Sequence, residues 1–511
     1  MEYENTVLYI PRPEQSLWEL MLNFKEMKYS KYITLFFLIF SLQGCSDFLE
    51  QEPGTQTSVD ELLQNKQGVI TALTGLYTEL EANVKGERFA VYADLQGGNL
   101  KFTPTASGSS RGQISPSGNI EQVYSFDDLA LTSNYKSFYD ASYDIINQAN
   151  LILEYTPALT DATDEEKKQI KAEALTIRAY AHFLLSQVYS QNYSYTSDAS
   201  HLGIVYNTKS IKAGIEYPER ETVANTYNLI ITDLKTAIDN YSVLVLSGPV
   251  YSYFNLNSAK ALLARVYLQK NDWTNAYETA NDVITNSGIR LTEKENYLAE
   301  WAKTDLPVSE ILLEFSIPRD SEGIAGNSMS SYFGYTSATS YNKYVASDDL
   351  VTLYENTDLR KQLFLTQSLQ TLVNGVLTSV NYNFTKKFQN NAGYVAFRLS
   401  EMYLIRAEAA LETNKLDEAM ADINTIRARA NATLLTNTAN LKENILLERR
   451  KELCFEGHLF FDLVRNHKNI SRNDGCISTS CSMTYPSLKF VLPIPTFNTN
   501  LNPNLQQNDS Y

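Results

Sequence analysis

The sequence has 511 residues, and its balance of 43% hydrophobic to 20% charged residues is typical of a folded protein rather than a disordered one. The 59 acidic residues outnumber the 43 basic ones and give a formal net charge of −16. This charge argues against a nucleic-acid-binding protein, because contacts to phosphate need clustered Lys and Arg. The 34 tyrosines suit either a ligand-binding surface or a helical core.

The N-terminal region predicts a secreted lipoprotein. Residues 27–44 carry basic residues at Lys28 and Lys31 and then a short apolar run at 33–40, as signal peptides do. Leu42 to Gly44 then precede Cys45 as in a lipoprotein cleavage box, which predicts lipid attachment to the Cys45 thiol. The apolar run is too short for a membrane span, which needs about 20 residues.

Two segments flank this signal. Residues 1–26 are acidic where a signal peptide would be basic, so we interpret them as an upstream extension before a true start at Met27. After Cys45, the acidic stretch 46–53 is interpreted either as a surface-export tether or as an ordinary solvated linker.

Helical periodicity dominates four stretches: 134–155, 165–189, 258–285 and 397–430. The last two are similar at an offset of 143 residues, and each predicts a helix, a short polar turn and a second helix whose inner face is rich in alanine. This is the pattern of tetratricopeptide repeats. The predicted fold class is therefore mainly α, a tetratricopeptide-like helical-repeat scaffold with loop-rich and minor-β insertions that bind ligand.

The insertions are predicted from composition. Residues 101–123 are rich in Gly, Ser, Pro and Thr and predict a long loop, and residues 317–344 predict a second loop that carries many aromatic residues. Short strands are predicted at 310–315 and 372–384.

The second loop contains the best candidates for ligand binding. A sugar ring needs flat aromatic side chains for its apolar faces and amide or charged groups for its hydroxyls. Serines and glycines in this loop are expected to leave the aromatic rings unburied; the alternative is that these tyrosines pack the loop onto the scaffold. The candidates are Tyr332, Phe333, Tyr335, Tyr341, Asn342 and Tyr344, with Phe102, Arg111 and Tyr124 at the first loop as secondary choices.

The remaining cysteines favour structural roles. Cys476 and Cys481 flank a short loop and predict a local disulfide in an oxidising compartment. Cys454 is expected to be a buried residue within a helix over 448–461. No metal site and no cofactor are predicted, since two thiols with only His467 nearby leave a tetrahedral site short of ligands.

The C-terminal part carries two distinctive strings. The helical pattern 447–465 reads LERRKELCFEGHLFFDLVR, in which Glu448, Arg449 and Glu452 lie one turn apart and are expected to pair along the helix. The chain then contains Pro493-Ile494-Pro495 and ends in the pattern Asn-Pro-Asn-Leu-x-Gln-Asn-x-x-Tyr over 502–511. Together these strings resemble the C-terminal signature of the RagB/SusD family, with His458 where that family usually has Arg.

The resemblance extends to the helices around 172–189 and 398–409 and so covers nearly all of the chain after Cys45. It implies a single SusD-like domain over 45–511, with an N-terminal part at about 45–240 and a C-terminal part at about 250–511. It further implies a lipid-anchored protein of the outer membrane, facing outside. Such a protein binds oligosaccharides and passes them to a SusC-like TonB-dependent transporter. The family's ligand contacts come from the two loop regions named above.

Three alternatives remain open. Some relatives bind peptides, and tyrosines serve either ligand. An all-α glycoside hydrolase would need two carboxylates flanking the bond, for which Asp348, Asp349 and Asp358 are the nearest candidates. These carboxylates are equally explained as helix caps or as residues on solvated faces. The sequence also contains no Ser-His-Asp, HExxH or phosphate-loop motif. We therefore predict that the protein is not an enzyme. A purely structural helical adaptor would leave the tyrosine-rich loops unexplained.

Overall fold

The computed structural model describes residues 58–211, 216–303, 308–315, 328–389 and 392–511. Asp60–Tyr511 form one compact unit. The predicted signal peptide, Cys45 and the acidic stretch after it lie outside the described residues.

Helices dominate, as the periodicity predicts, and the four predicted helical stretches are confirmed. The longest helix begins with a capping box, in which Thr163 and Glu166 satisfy each other's backbone N–H groups. The helices, numbered in chain order, are α1 (Val59–Leu62), α2 (Lys66–Lys85), α3 (Glu87–Ala90), α4 (Tyr92–Gly97), α5 (Glu121–Tyr124), α6 (Lys136–Tyr155), α7 (Asp164–Tyr189), α8 (Val223–Ile238), α9 (Leu256–Lys270), α10 (Trp273–Asn286), α11 (Tyr297–Trp301), α12 (Ser330–Phe333), α13 (Asp348–Val351), α14 (Leu399–Glu412), α15 (Leu416–Arg429), α16 (Leu441–Glu452), α17 (Leu459–Arg465) and α18 (Thr496–Leu501).

The two predicted repeats are α9–α10 and α14–α15. The turn between the helices contains a left-handed asparagine at the equivalent position of each repeat, Asn271 with φ 60° and Asn414 with φ 59°. A residue in this left-handed conformation ends the first helix and lets the chain turn within a few residues. Asparagine adopts the conformation more readily than most residues. Alanines at the inner faces are fully buried and let the helices pack closely, and α10 packs on α14 to join the repeats.

The strands are β1 (Leu100–Phe102), β2 (Ile311–Phe315), β3 (Tyr335–Ser337), β4 (Ser340–Tyr341), β5 (Tyr344–Ala346), β6 (Phe364–Val373), β7 (Val376–Thr385), β8 (Tyr394–Arg398), β9 (Ile470–Ser471) and β10 (Ser482–Met483). One four-stranded antiparallel sheet has the order β1-β5-β7-β6. The strand predicted at 310–315 is confirmed as β2. The single strand predicted over 372–384 is wrong, because Asn374 and Gly375, both at positive φ, turn the chain into the long hairpin β6–β7.

Glu448, Arg449 and Glu452 of α16 do not pair with one another along the helix, so that prediction is wrong, although Lys451 contacts Glu448 at 3.0 Å. Glu452 instead accepts from Arg398 at 2.6 Å and from Arg360 at 2.9 Å. Arg449 contacts Asp462 of α17 at 3.1 Å. The charged side of α16 faces the interior, and arginines from other elements pair with Glu448 and Glu452 there.

The helix predicted over 448–461 is interrupted. Helix α16 ends at Glu452, and α17 begins at Leu459. Between them Phe455 and Gly457 adopt positive φ, and the backbone N–H groups of both donate to the carboxylate of Asp94 at 3.0 and 2.9 Å. Cys454 is buried as expected, but it lies in this turn and not within a helix.

His458, which stands where the resembled family usually has Arg, lies just before α17. Burial lowers the pKa of this imidazole well below its ordinary value. The nearby carboxylate of Asp462 is not left unpaired, because Arg449 and Arg465 both contact it.

Candidate ligand-binding surface

The two predicted binding loops meet along one pair of strands. Strands β1 and β5 are antiparallel, and Phe102 is the register partner of Tyr344. Just beyond β1, the backbone N–H of Thr103 donates to the carbonyl of Lys343 at 2.9 Å, and the Thr103 hydroxyl donates to the carbonyl of Asn342 at 2.9 Å. Residues that are more than 200 positions apart in the sequence therefore form one surface.

The outer layer of this surface is a pair of tyrosines. Tyr335 and Tyr341 are register partners in the β3–β4 hairpin, and both side chains are half-buried. Their rings lie 4.8 and 6.0 Å, between centroids, from the ring of Phe384, which is buried on β7. Phe384 is part of the sheet, so the two tyrosine rings pack on an ordered residue. The remaining part of each ring is exposed to solvent.

Three of the predicted rings are fully buried: Phe333, Tyr344 and Phe102. The expectation that serines and glycines leave the rings of this segment unburied is wrong for Phe333 and Tyr344, because short strands and helix α12 fold the segment onto the sheet. The hydroxyl of Tyr344 donates to Glu87 at 2.6 Å, and the ring of Phe102 packs 5.4 Å from that of Tyr344. Burial raises the pKa of Tyr344 well above its ordinary value, with Glu87 adding to the rise.

Two further candidates are engaged in internal hydrogen bonds. The hydroxyl of Tyr332 donates to the carbonyl of Lys85 at 2.7 Å and ties the loop to the end of α2, and burial raises the pKa of Tyr332 to about 12. The side-chain amide of Asn342 donates to the carbonyl of Ser330 at 2.7 Å and closes the base of the β3–β4 hairpin. Both residues therefore position the tyrosine pair.

Arg111 is exposed at the tip of the other loop. That loop is shaped by its own backbone, since the N–H groups of Thr105 and Gly112 donate to the carbonyls of Gln113 and Thr105 at 2.8 Å each. Burial raises the pKa of the Tyr341 hydroxyl, and the charge of Arg111 opposes that rise. The backbone N–H of Leu372 on β6 donates to the carbonyl of Gly112 at 2.8 Å, so the loop of Arg111 lies against the same sheet as the tyrosine pair.

A ladder of polar side chains on the β6–β7 hairpin was missed by the sequence analysis. Thr366 donates to Asn383 at 2.7 Å, and Ser368 donates to Asn381 at 2.6 Å. The sequence signal is weak, because residues 366–368 and 370–371 are all polar and do not alternate with apolar residues as in a strand with one solvent-facing side. Had this segment been recognised as two strands, the ladder could have been predicted.

The predicted cysteine pair lies beside this surface. Cys476 and Cys481 form a disulfide with an S–S distance of 2.05 Å. Within the bridged loop, the backbone N–H of Ile477 donates to the hydroxyl of Tyr124 at 3.2 Å. The guanidinium of Arg472 lies 4.2 Å from the centre of the same ring. Tyr124 is buried against Phe102, so the disulfide loop covers the back of the first binding loop.

The carboxylates considered for hydrolysis have structural partners. Asp358 is buried and pairs with Arg360 at 2.7 Å. Asp348 accepts from Asn383 at 2.9 Å, and Asp349 accepts from the backbone N–H of Asn473 at 2.7 Å. Among the residues with described positions, no group of three or more His, Cys, Asp or Glu is arranged to hold a metal ion.

Cavities elsewhere do not involve the tyrosine pair. One of about 490 Å³ is lined by Lys167, Lys168 and Lys171, and another of about 300 Å³ is lined by Ile289, Ile311 and other apolar residues. The candidate surface is open, which suits an extended ligand better than a small enclosed one. In the described part of the chain, no helix combines the length and apolar character needed to cross a membrane.

Comparison with known proteins gives a consistent result along the chain. Residues 333–511 match a family model described as the SusD family, and residues 47–268 match one described as starch-binding associating with outer membrane. SusD-like protein P25 of Formosa agariphila is 22% identical over 86% of this chain and 90% of its own length.

Solved structures show the same fold. A SusD superfamily protein of Bacteroides thetaiotaomicron is 25% identical, with a TM-score of 0.73 over 88% of this chain and 100% of its own. A putative sugar binding protein of Bacteroides vulgatus is 27% identical, with a TM-score of 0.73 over 87% of this chain and 98% of its own. The mainly α, tetratricopeptide-like architecture predicted from the sequence is confirmed.

Proposed function

Because this chain belongs to the SusD/RagB family, we propose that it is an outer-membrane lipoprotein that binds oligosaccharides outside the cell and delivers them to a SusC-like TonB-dependent transporter. The observation that carries the proposal is the pair Tyr335 and Tyr341, half-exposed over Phe384 on a sheet that also contacts the loop of Arg111. The name of one matched family model refers to starch, and one similar structure is a putative sugar binding protein, which supports a carbohydrate ligand.

The chemistry of the surface suits a glycan. The apolar C–H face of a sugar ring packs against a flat aromatic ring, while hydroxyls bond to charged and amide groups at the edge. Tyr335 and Tyr341 provide the rings, and Arg111 provides donors. The base of the surface is already ordered by Tyr332 and Asn342, so little conformational entropy is lost on binding.

Ligand binding is tested with the soluble protein that begins at Ser46, first on a glycan array and then by calorimetry with the glycan that binds. The double substitution Tyr335→Ala with Tyr341→Ala is expected to weaken that affinity at least tenfold, since each aromatic contact contributes about 0.5–1.5 kcal/mol beyond its buried area. Tyr217→Ala, at an exposed tyrosine elsewhere, is the matched control and should leave affinity unchanged. An unaltered affinity in the double variant would remove the tyrosine pair from the site.

The proposal also includes attachment to the membrane through Cys45, after removal of residues 27–44, with a single domain over 45–511. The full-length protein is expected in the membrane fraction of its host, and Cys45→Ala is expected in the soluble fraction. Continued membrane attachment of this variant would rule out lipidation at Cys45.

We propose binding without catalysis. Asp348, Asp349 and Asp358 are held by hydrogen bonds or ion pairs to other residues, which supports structural roles for them. A glycan that binds should be recovered intact after prolonged incubation with the protein. Release of shorter products, detected by mass spectrometry, would instead favour a hydrolase.

A further inference from the structure

A cavity of about 490 Å³ lies along the longest helix, α7, which packs against both α6 and α8. Its wall on α7 includes Asp164, Lys168, Lys171 and Leu175, which recur every three or four residues and therefore share one side of the helix. The cavity shares no lining residue with the tyrosine pair. Its volume is within the range of sites that bind small organic ligands.

Two lysines of this cavity have no counter-ion. The ammonium groups of Lys168 and Lys171 form no hydrogen bond or ion pair with any residue that the structure describes. The acids before them in α7 do not neutralise them, since Glu166 is paired with Lys66 at 3.2 Å and Asp164 forms no pair with Lys168 despite the four-residue spacing. In a chain with a net charge of −16, the cavity is therefore a local positive site that favours an anion.

Stabilisation of the helices does not account for these two lysines. A helix favours acids at its N-terminal end and cations at its C-terminal end, and α7 accordingly begins with three acids. Lys167, which also lines the cavity, has a structural contact, because its ammonium donates to the carbonyl of Pro157 beyond the end of α6 at 3.4 Å. Structural contacts therefore explain Lys167 but not Lys168 and Lys171.

The rest of the wall is apolar or accepts hydrogen bonds. Leu153, Pro157 and Leu175 provide aliphatic surface. The exposed carboxylate of Asp164 can accept from hydroxyl groups. The side-chain amide of Asn240 donates to a carbonyl of α8 at 2.7 Å, which leaves its oxygen as a second acceptor. A bare inorganic anion would be opposed by Asp164 and would not use the aliphatic surface, whereas a sugar acid has a carboxylate, hydroxyls and a C–H face.

The cavity is held open by a buried hydrogen-bond network. Arg178 also lines it, but the guanidinium is already paired with Asp233 of α8 at 2.8 and 2.7 Å and donates to Asn150 of α6 at 2.8 Å. All three side chains are buried. Because this network joins α6, α7 and α8, the wall is formed before any ligand binds, and binding has to order only the lysine side chains.

From these observations we infer that the cavity along α7 is a second carbohydrate site, which binds a uronate unit of an acidic oligosaccharide; this inference rests on the proposed function of oligosaccharide binding. The carboxylate of the uronate pairs with Lys168 and Lys171. Hydroxyls of the same ring donate to Asp164 and Asn240, and its C–H face packs against the aliphatic part of the wall.

Calorimetry at low ionic strength tests the ligand class with the soluble protein that begins at Ser46. The probe is trigalacturonate, and the matched control ligand is the same trisaccharide with its carboxyl groups reduced to alcohols. The acidic form is expected to bind at least tenfold more tightly, and added salt should weaken it. Equal affinity for the two trisaccharides, no binding of trigalacturonate, or equally tight binding of inorganic phosphate would overturn the inference.

Substitution of the two lysines tests the location of the site. Lys168→Gln with Lys171→Gln is expected to weaken trigalacturonate binding at least tenfold, and the fold should persist because both side chains are exposed. Lys442→Gln with Lys468→Gln is the matched control, since it removes the same charge from two lysines outside the cavity. The control variant should retain the wild-type affinity. Equal losses in the two variants would show an effect of net charge and would overturn the inference.

The tyrosine pair separates this inference from the proposed function. Loss of trigalacturonate affinity in Tyr335→Ala with Tyr341→Ala, but not in the lysine variant, would overturn the second site and leave the proposed function intact. Conversely, lysine-dependent binding of trigalacturonate, with no glycan on the array affected by the tyrosine substitutions, would support the second site and contradict the assignment of ligand binding to the tyrosine pair.

Discussion

Arg398 donates to Glu452 at 2.6 Å, and both side chains are almost completely buried. Arg398 lies at the end of β8 and Glu452 at the end of α16, so this pair joins the minor-β region to the C-terminal helices. Arg398 also contacts Glu310 at 2.6 Å and Glu456 at 2.7 Å. Burial alone would lower the pKa of Arg398, but the carboxylates of Glu456, Glu452 and Glu310 outweigh burial and raise it.

Removal of the Arg398 charge should destabilise the protein strongly. Arg398→Met leaves three buried carboxylates short of a partner, and a loss of about 3–5 kcal/mol in the free energy of unfolding is expected. Denaturant unfolding monitored by circular dichroism measures it. Lys442→Ala, which breaks the exposed pair of Lys442 with Glu412 (2.7 Å), is the control and should cost less than about 1 kcal/mol. Equal losses of unfolding free energy in the two variants would show that the buried ion pairs of Arg398 stabilise the protein no more than an exposed pair does.

Tyr344 and Tyr341 should differ in their contributions to stability and to ligand affinity. Tyr344→Ala removes a fully buried ring and one of the donors to Glu87, which still accepts from Ser117 and Asn119, so the lost packing should cost about 3–5 kcal/mol of stability. Tyr341→Ala, three residues earlier in the neighbouring strand β4, should cost roughly 1 kcal/mol of stability and reduce ligand affinity instead. Thermal unfolding of both variants, followed by calorimetry with the glycan, distinguishes these expectations. A large loss of stability in Tyr341→Ala would make it a packing residue.

The helical scaffold could be predicted because its signals are local. Alanine spacing and the polar turns at Asn271 and Asn414 determine each repeat within about 30 residues, and the structure confirms both. The hairpin β6–β7 also has a local signal, because Asn374-Gly375 is the residue pair that a two-residue hairpin turn with positive φ at both positions favours, and the single-strand prediction overlooked it.

The binding surface depends on contacts that sequence patterns do not show. Tyr335, Tyr341 and Tyr344 occur in one short polar segment, yet pairing of β5 with β1 buries Tyr344 and leaves the other two partly exposed. Distant contacts also explain why pairing along α16 was predicted wrongly. Glu448 and Glu452 have the spacing of ion pairs on a solvated helix, but in the structure they contact arginines from other segments. Long-range pairing, rather than local propensity, determines both outcomes.

The disulfide provides a third test. Cys476→Ser with Cys481→Ser should lower the free energy of unfolding by about 2 kcal/mol, because the bridge closes only a short loop and restricts the unfolded chain modestly. Alkylation of the denatured, unreduced protein that begins at Ser46 should modify one thiol, that of the buried Cys454. Modification of three thiols would show that the bridge does not form in the isolated protein.

Glu173 should make stability depend on pH between about 5 and 7. Its buried carboxyl accepts from Tyr77 at 2.7 Å and from Gln169 at 2.8 Å, and burial raises its pKa from the model-compound value of 4.5 to about 7, although these hydrogen bonds oppose the rise. The folded protein therefore binds this proton more tightly than the unfolded chain does. The resulting stability is fully present below pH 4.5 and is lost as pH rises through about 7, in total about 3 kcal/mol.

Glu173→Gln keeps the shape of the side chain and removes its titration, so this part of the pH dependence should disappear. Denaturant unfolding at several pH values from 5 to 8 measures the difference between the variant and the wild type. Over this range Glu452 stays ionised, because the charges of Arg429, Arg398 and Arg360 outweigh the opposing effect of burial and lower its pKa well below the ordinary value. If the stability of Glu173→Gln changes with pH as steeply as that of the wild type, then a group other than Glu173 causes the pH dependence.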